Sequence, residues 1–216
     1  LIRTCLDHLT PEEQRRLEQD LDLAARVQGG LLPKRDLSVS GWEVFYHYEP
    51  AGPVSGDYCD LIPPGKDCGD LVFLVGDVSG KGVAASMLMT GLRATVRTLM
   101  DSGLRSGDLM ARANRLFCES ALPQQFATLV LGRAARSGEI EICNAGHPSP
   151  LLLRNGKVVK ELDDGRRILF GIGSKVAIAA EEQLEAGDWI VMYTDGVIEA
   201  RDRDRNFFGL ERFIDL

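Results

Sequence analysis

Asp77 and Asp195 stand in the same local design: an apolar run that reads as a strand, then an aspartate, then small or flexible residues. Leu71 to Gly76 runs into Asp77 and the turn Val78-Ser79-Gly80, and Trp189 to Thr194 runs into Asp195-Gly196. A third aspartate, Asp57, follows Gly56 in the segment Val54 to Ile62, where the missing side chain lets something approach the backbone. A carboxylate at the mouth of a buried strand either caps the next helix or binds a metal, and Asp77 taken alone leaves both readings open. If the three carboxylates meet, their mutual repulsion needs a cation to offset it. All-oxygen ligation suits one or two Mg²⁺ or Mn²⁺ ions better than zinc. Such a centre acidifies a bound water and clamps phosphoryl oxygens, which is the logic of metal-assisted phosphoester hydrolysis. The competing reading is three ordinary acids in caps and turns.

Other constellations carry less chemistry. No serine lies in a G-x-S-x-G elbow, which disfavours a serine nucleophile. Gly80-Lys81 lacks the spacing and the following Ser or Thr of a phosphate loop. His147 lies in the Gly-Pro loop Asn144 to Pro148, where a structural hydrogen bond is favoured over a role in catalysis. The five cysteines (Cys5, Cys59, Cys68, Cys118, Cys143) form no C-x-x-C pair and have no histidine at zinc spacing, so reduced thiols in a cytoplasmic protein are expected. A net charge of −7 over 216 residues argues against nucleic acid as a partner. The sequence has no apolar run of membrane length and no signal pattern, and it begins at Leu1, which reads as a piece of a longer protein with an upstream partner domain.

The elements that must position these residues are legible from local pattern. Thr10-Pro11-Glu12-Glu13 combines a cap, a proline at the first helical position and a reciprocal glutamate, so a helix starts there. Leu17, Leu21, Ala24, Gln28 and Leu31 follow at alternating spacings of four and three, a seam with one polar member that fits either a helix lying on its own domain or a linker pairing with a second copy. Gly29, Gly30 and Pro33 end it. Trp42 to Tyr48 alternates as a strand, and Val54 to Ile62 is a second one. Asp57 and Asp60 cannot face the same side of that second strand, so one of them is expected to be solvated or in a bulge. A helix from Gly82 to Met100 is predicted to bury Ala84, Leu88, Leu92, Val96 and Leu99, with Ala85, Gly91 and Ala94 packing closely on a sheet and the Met87 to Met89 cluster serving as packing. A second helix spans Ser106 to Ser120. A β meander follows: Phe126 to Gly132, Glu139 to Ile142, and the hairpin Leu151 to Lys160 about Asn155-Gly156. Gly171-Ile172-Gly173 is read as a loop, Glu185 to Asp188 as a turn, and a last helix as starting near Leu210.

Ala51 to Leu61 (AGPVSGDYCDL), Gly76 to Gly82 (GDVSGKG), Phe126 to Leu129 (FATL), Asn144 to Pro148 (NAGHP) and Tyr193 to Ala200 (YTDGVIEA) stand in an order that resembles the PPM-type metal-dependent serine/threonine phosphatases, in their bacterial SpoIIE/RsbU branch. Ala24 to Pro33 resembles the helix that enters such a domain from an upstream sensor. The resemblance implies an α+β fold, a four-layer α-β-β-α sandwich over residues 34–216 preceded by a linker helix in residues 1–33. It implies two Mn²⁺ or Mg²⁺ ions at one end, with Asp77 bridging them, the Val78 carbonyl beside it, and Asp57 and Asp195 as further carboxylate ligands. The reaction implied is hydrolysis by an activated water of phosphoserine or phosphothreonine on a STAS-domain anti-sigma factor antagonist, which controls a sigma factor by partner switching. Homodimerisation through the N-terminal helix is a further expectation.

Two departures from the family pattern stand out. Ser79 occupies the position where eukaryotic members carry a histidine in the place of a general acid. The family also closes on a strand bearing another metal-binding aspartate, which residues up to Leu216 do not supply, so the fragment is expected to lack that strand and one ligand. A catalytically inactive binding or regulatory module of the same fold is therefore the alternative.

Overall fold

The structure is a computed structural model that describes residues 9–39, 41–64, 69–162, 169–172 and 179–215. Cys5, Cys68, Gly173, the middle of the Pro63 to Gly69 turn and the first eight residues of the linker lie outside them.

The linker helix α1 (Pro11–Gly29) begins as its sequence dictates. Thr10 Oγ1 accepts from the Glu13 backbone N–H, and the Glu13 carboxylate accepts from the Thr10 backbone N–H at 2.8 Å. Leu31 falls beyond its end. A hairpin of β1 (Asp36–Val39) and β2 (Trp42–Phe45) follows, so the first strand stops three residues short of the predicted Tyr48 and pairs with a strand that its own short, mixed sequence did not announce.

The centre of the fold is an antiparallel five-stranded sheet in the order β3-β4-β5-β6-β9, formed by Asp57–Ile62, Leu71–Val78, Ala127–Ala134, Glu139–Ala145 and Ala179–Gln183. Helices α2 (Val83–Met100) and α3 (Ser106–Ser120) are inserted between β4 and β5 and cover one face. Tyr58, Leu74, Met89, Val96, Leu109, Phe117, Leu129 and Leu131 form the core there. The opposite face packs Leu61, Phe73, Val130, Ile140 and Ile142 against the β1-β2 hairpin and against a three-stranded sheet, ordered β10-β7-β8, of Trp189–Val191, Leu151–Arg154 and Lys157–Glu161. Strand β4 is covered on both faces, which is why Leu71 to Val75 is a continuous apolar run rather than an alternation.

The chain is thus an α+β sandwich of antiparallel sheets. The described residues supply the helix layer and both β layers, and the outer face of the second β layer leaves Phe45, Val159 and Trp189 exposed. The remaining elements are two short helices, α4 (Asp195–Ile198) and α5 (Leu210–Ile214), the second packing Phe213 on Tyr193 with ring centroids 4.8 Å apart.

Several local expectations shift once packing is visible. The buried stripe of α2 is Ala85, Met89, Leu92, Val96 and Leu99, rotated from the predicted one, and Gly91 and Ala94 face solvent. Met89 packs in the core while Met87 is 70% exposed. Strand β9 escaped notice because an edge strand ending Glu181-Glu182-Gln183 carries little apolar signal. The Asn155-Gly156 hairpin forms as predicted, both residues having positive φ (54° and 73°) as its tight turn requires.

Of the two acids of β3, Asp57 is the partly exposed one, and Asp60 is fully buried, with Arg97 Nε and Nη2 each donating to one of its oxygens at 2.6 Å. Arg93 lies 3.6 Å away, and Tyr58 Oη and the Leu61 N–H also donate to the carboxylate. This cluster ties β3 to α2.

Candidate active site

Strand β4 does not stop at Asp77 but continues through Val78, and α2 starts only at Val83, capped by Gly82 without a side-chain bond. Asp77 is therefore not a helix cap. Its direct partner across the antiparallel ladder is Asp57, the first residue of β3. Directly opposed residues share a face with Cβ atoms roughly 5 Å apart, and like charges there destabilise the pair. Among the described residues neither carboxylate has a Lys or Arg within ion-pair distance.

The electrostatics follow from that register. Burial, then the charges of Asp57 and Asp195, push the Asp77 carboxyl up to about 7. Burial raises Asp57 as well, opposed by its hydrogen bond from Ser55 and reinforced by Asp195. Asp195 is exposed at the first position of α4, after Thr194. The fold thus opposes Asp57 to Asp77 directly, while Asp195 acts on both by charge alone. Among the described residues no three His, Cys, Asp or Glu side chains close around a common ion position.

The surroundings explain how two acids are held together. Ser55 Oγ donates to Asp57 Oδ2 at 3.0 Å and accepts the Asp57 backbone N–H at 3.1 Å. Gly56 lies against the other strand: its carbonyl accepts from the Val78 N–H, and a Cβ on it would sit 2.6 Å from the Val78 carbonyl oxygen and 3.4 Å from Asp77 Oδ1. A Gly56→Ala variant is expected to lose about 1–3 kcal/mol in urea unfolding, because the methyl meets rigid backbone. Wild-type stability would contradict that packing.

Ser79 is committed to structure. Its Oγ accepts from the Phe126 N–H at 2.9 Å, and its own N–H donates to the Phe126 carbonyl. His147 is likewise structural, as its loop suggested. Asn144 Oδ1 accepts the His147 N–H, Asn144 Nδ2 donates to the His147 carbonyl, and Nδ1 is 2.8 Å from the hydroxyl of Thr128, the residue paired with Asp77 on β5. On its other side the ring faces the Tyr193 main chain, although Nε2 makes no well-aligned bond. His147 therefore sits between the strand beside Asp77 and the segment leading into Asp195.

Burial lowers the His147 pKa from 6.5 to about 4, so the imidazole is neutral near pH 7. Between those values the unfolded chain binds the extra proton and the folded one does not. Stability is thus complete above about pH 6.5 and is lost as pH falls toward 4. Between about pH 7.5 and pH 5 the loss comes to about 2 kcal/mol. A His147→Gln variant, measured by urea unfolding at both pH values, is expected to lack that component; an identical pH dependence in variant and wild type would show that His147 does not titrate in this way.

The sequence profile of the family described as Stage II sporulation protein E (SpoIIE) matches residues 67–216. This chain belongs to the SpoIIE family. Its relatives include Protein IcfG of Synechocystis sp. (strain ATCC 27184 / PCC 6803 / Kazusa), 26% identical over 99% of this chain and 38% of that protein. They also include Phosphoserine phosphatase RsbU of Bacillus subtilis (strain 168), 25% identical over 87% of this chain and 56% of that protein. The chain therefore spans between about two fifths and somewhat over half of the length of these two relatives. Among solved structures, the RsbU and RsbW domains of Rv1364c from Mycobacterium tuberculosis align with TM-score 0.64 and 30% identity over 76% of this chain and 45% of that one. The SiaA-PP2C domain of Pseudomonas aeruginosa aligns with TM-score 0.76 over 94% of this chain and 81% of that one; at 21% identity that likeness concerns the fold. The SpoIIE family and the PP2C-like phosphatase fold agree with the motif order read from the sequence.

Ser55, Gln28, Thr128 and Asp60 are site-related residues that motif reading passed over or assigned elsewhere. The only advance signals were the polar member in the α1 seam and the extra acid in β3.

Proposed function

We propose that this SpoIIE-family chain is a metal-dependent protein serine/threonine phosphatase. The observation that carries the reading is the Asp57–Asp77 pair, two half-buried carboxylates in direct cross-strand register with no cationic side chain among the described residues within ion-pair distance. Such a donor set fits a hard divalent ion, Mn²⁺ or Mg²⁺, and two ions are the number the family pattern favours. Asp57, Asp77, Asp195 and the Val78 carbonyl are the residues that would hold them. When bound, the ions supply positive charge for phosphoryl oxygens and acidity for a water.

The chain's own residues do the rest. Ser55 fixes the Asp57 carboxylate, Gly56 admits the Val78 carbonyl, and the neutral His147 braces the strand beside Asp77. Ser79 is bonded to Phe126 and does not replace the histidine that eukaryotic members place there, so leaving-group protonation falls to water and modest turnover is expected.

The substrate we propose is a phosphoserine or phosphothreonine on a STAS-domain anti-sigma factor antagonist, giving sigma factor control by partner switching. The relative named Phosphoserine phosphatase RsbU, and a solved relative that joins RsbU and RsbW domains in one protein, support this. A sensor domain in the same chain is a further proposed partner. Exposed Leu17, Leu23 and Val27 on α1 support pairing with a second copy. No helix among the described residues is long and apolar enough to cross a membrane, and we place the protein in the cytoplasm.

The test is Mn²⁺-dependent phosphate release from a phosphorylated STAS protein, run beside Mn²⁺ calorimetry. Binding and turnover support the phosphatase. Partner binding without Mn²⁺ binding or turnover would instead establish the inactive module.

A further inference from the structure

Gln28 is the one buried residue of α1, only 7% exposed on a helix whose other residues are largely in solvent. A glutamine is a costly thing to bury unless both ends of its amide are paired. Both are paired here, and with a single residue: Nε2 donates to the Ser55 carbonyl at 2.8 Å, and Oε1 accepts from the Ser55 N–H at 2.9 Å. This is the arrangement a neighbouring strand would offer, supplied by a side chain from 27 residues away. The hydroxyl of the same Ser55 then donates to Asp57 Oδ2 and accepts the Asp57 N–H. A continuous path of hydrogen bonds therefore runs from the last turn of α1 through the backbone and side chain of Ser55 to one carboxylate of the candidate site.

We propose that Gln28 is a positioning residue for the reaction: by clamping the Ser55 backbone it sets the orientation of the Asp57 carboxylate and so the site's affinity for divalent metal. The inference rests on the phosphatase reading of that site. Partners one bond removed from a ligand change metal affinity by about 10–100-fold when lost. A carboxylate released from Ser55 still carries its charge but samples orientations it must give up on binding, so the effect falls on metal affinity more than on turnover at saturating metal.

The experiment uses the whole chain in five forms: wild type, Gln28→Leu, Gln28→Glu, Ser55→Ala and the Gln28→Leu/Ser55→Ala double variant. Each is measured by Mn²⁺ calorimetry, by urea unfolding without metal, and by kcat across a Mn²⁺ titration. Gln28→Leu is expected to weaken Mn²⁺ binding about 10-fold or more, with kcat at saturating Mn²⁺ within about twofold of wild type. Ser55→Ala is expected to weaken Mn²⁺ binding to a similar degree, and the double variant to add little to that loss, since both break one path. Gln28→Glu, which keeps an acceptor for the Ser55 N–H and loses the donor, is expected to fall between, and it stands in if the leucine variant does not fold. Lower unfolding stability with wild-type Mn²⁺ affinity in the Gln28 variants would overturn the proposal, leaving Gln28 a structural anchor. Wild-type protein that binds no Mn²⁺ would overturn the metal reading itself, and the inference with it.

Discussion

Asp77→Asn is expected to abolish Mn²⁺-dependent phosphate release, by at least about 10²-fold, since loss of a mere supporting partner of a metal ligand already costs 10–100-fold. The substitution keeps the shape, removes the charge and turns one acceptor oxygen into an N–H donor. Asp77 is held at the end of β4, opposite Asp57, where burial and neighbouring acids already disfavour its ionised form. Replacing it with an amide relieves that repulsion, so the metal-free variant should be as stable as wild type or more stable. Lost activity with retained or increased stability is the signature of a residue kept for a cation rather than for the fold. Equal activity in variant and wild type would remove Asp77 from the mechanism. A variant that simply unfolds would contradict the electrostatic account, and both results come from one activity assay and one urea titration.

Arg97→Ala is expected to cost about 3 kcal/mol or more in urea unfolding, because removing one partner strands a buried charge. The buried partner is Asp60, whose two oxygens each receive an Arg97 nitrogen at 2.6 Å. Arg93 at 3.6 Å, Tyr58 Oη and the Leu61 N–H remain as partial compensation. Asp60→Asn should cost less. The Arg97 side chain is 41% exposed and can turn to water, whereas the Asp60 carboxylate has no such exit. The order of the two variants therefore tests the argument as well as the size of the effect. Asp60→Asn proving the more damaging, or Arg97→Ala falling within about 1 kcal/mol of wild type, would show that the guanidinium does not compensate the buried charge. The pair also bears on function, since it fastens the strand that begins at Asp57 to the helix that follows Asp77.

Elements whose code lies within a few residues were legible before any coordinates. The Thr10–Glu13 capping box, the Asn155-Gly156 turn and α3 are of this kind. So was the order of motifs that places the chain in the SpoIIE family. Readings stayed open where the deciding partner lay far along the chain. Which of the two β3 acids is buried could not be read locally, because the base that holds Asp60 sits 37 residues away on α2. The α1 seam with its polar member left open whether the helix lies on its own domain or pairs with a second copy, because the partner of Gln28 is the distant backbone of Ser55. Asp77 stayed open between cap and ligand until β4 was seen to continue through Val78 and to set Asp77 opposite Asp57.

By itself, the sequence determined the residue types available for chemistry and the short-range structure around them, because capping, turn and periodicity preferences act over one or two turns of backbone. Tertiary structure decided which of those residues meet. Strand register is set by which faces are buried, a choice made across the whole sheet, and it alone opposes Asp57 to Asp77 and leaves Asp195 at the rim. The same long-range packing turned an extra aspartate into a buried anchor and a linker glutamine into a support of the site.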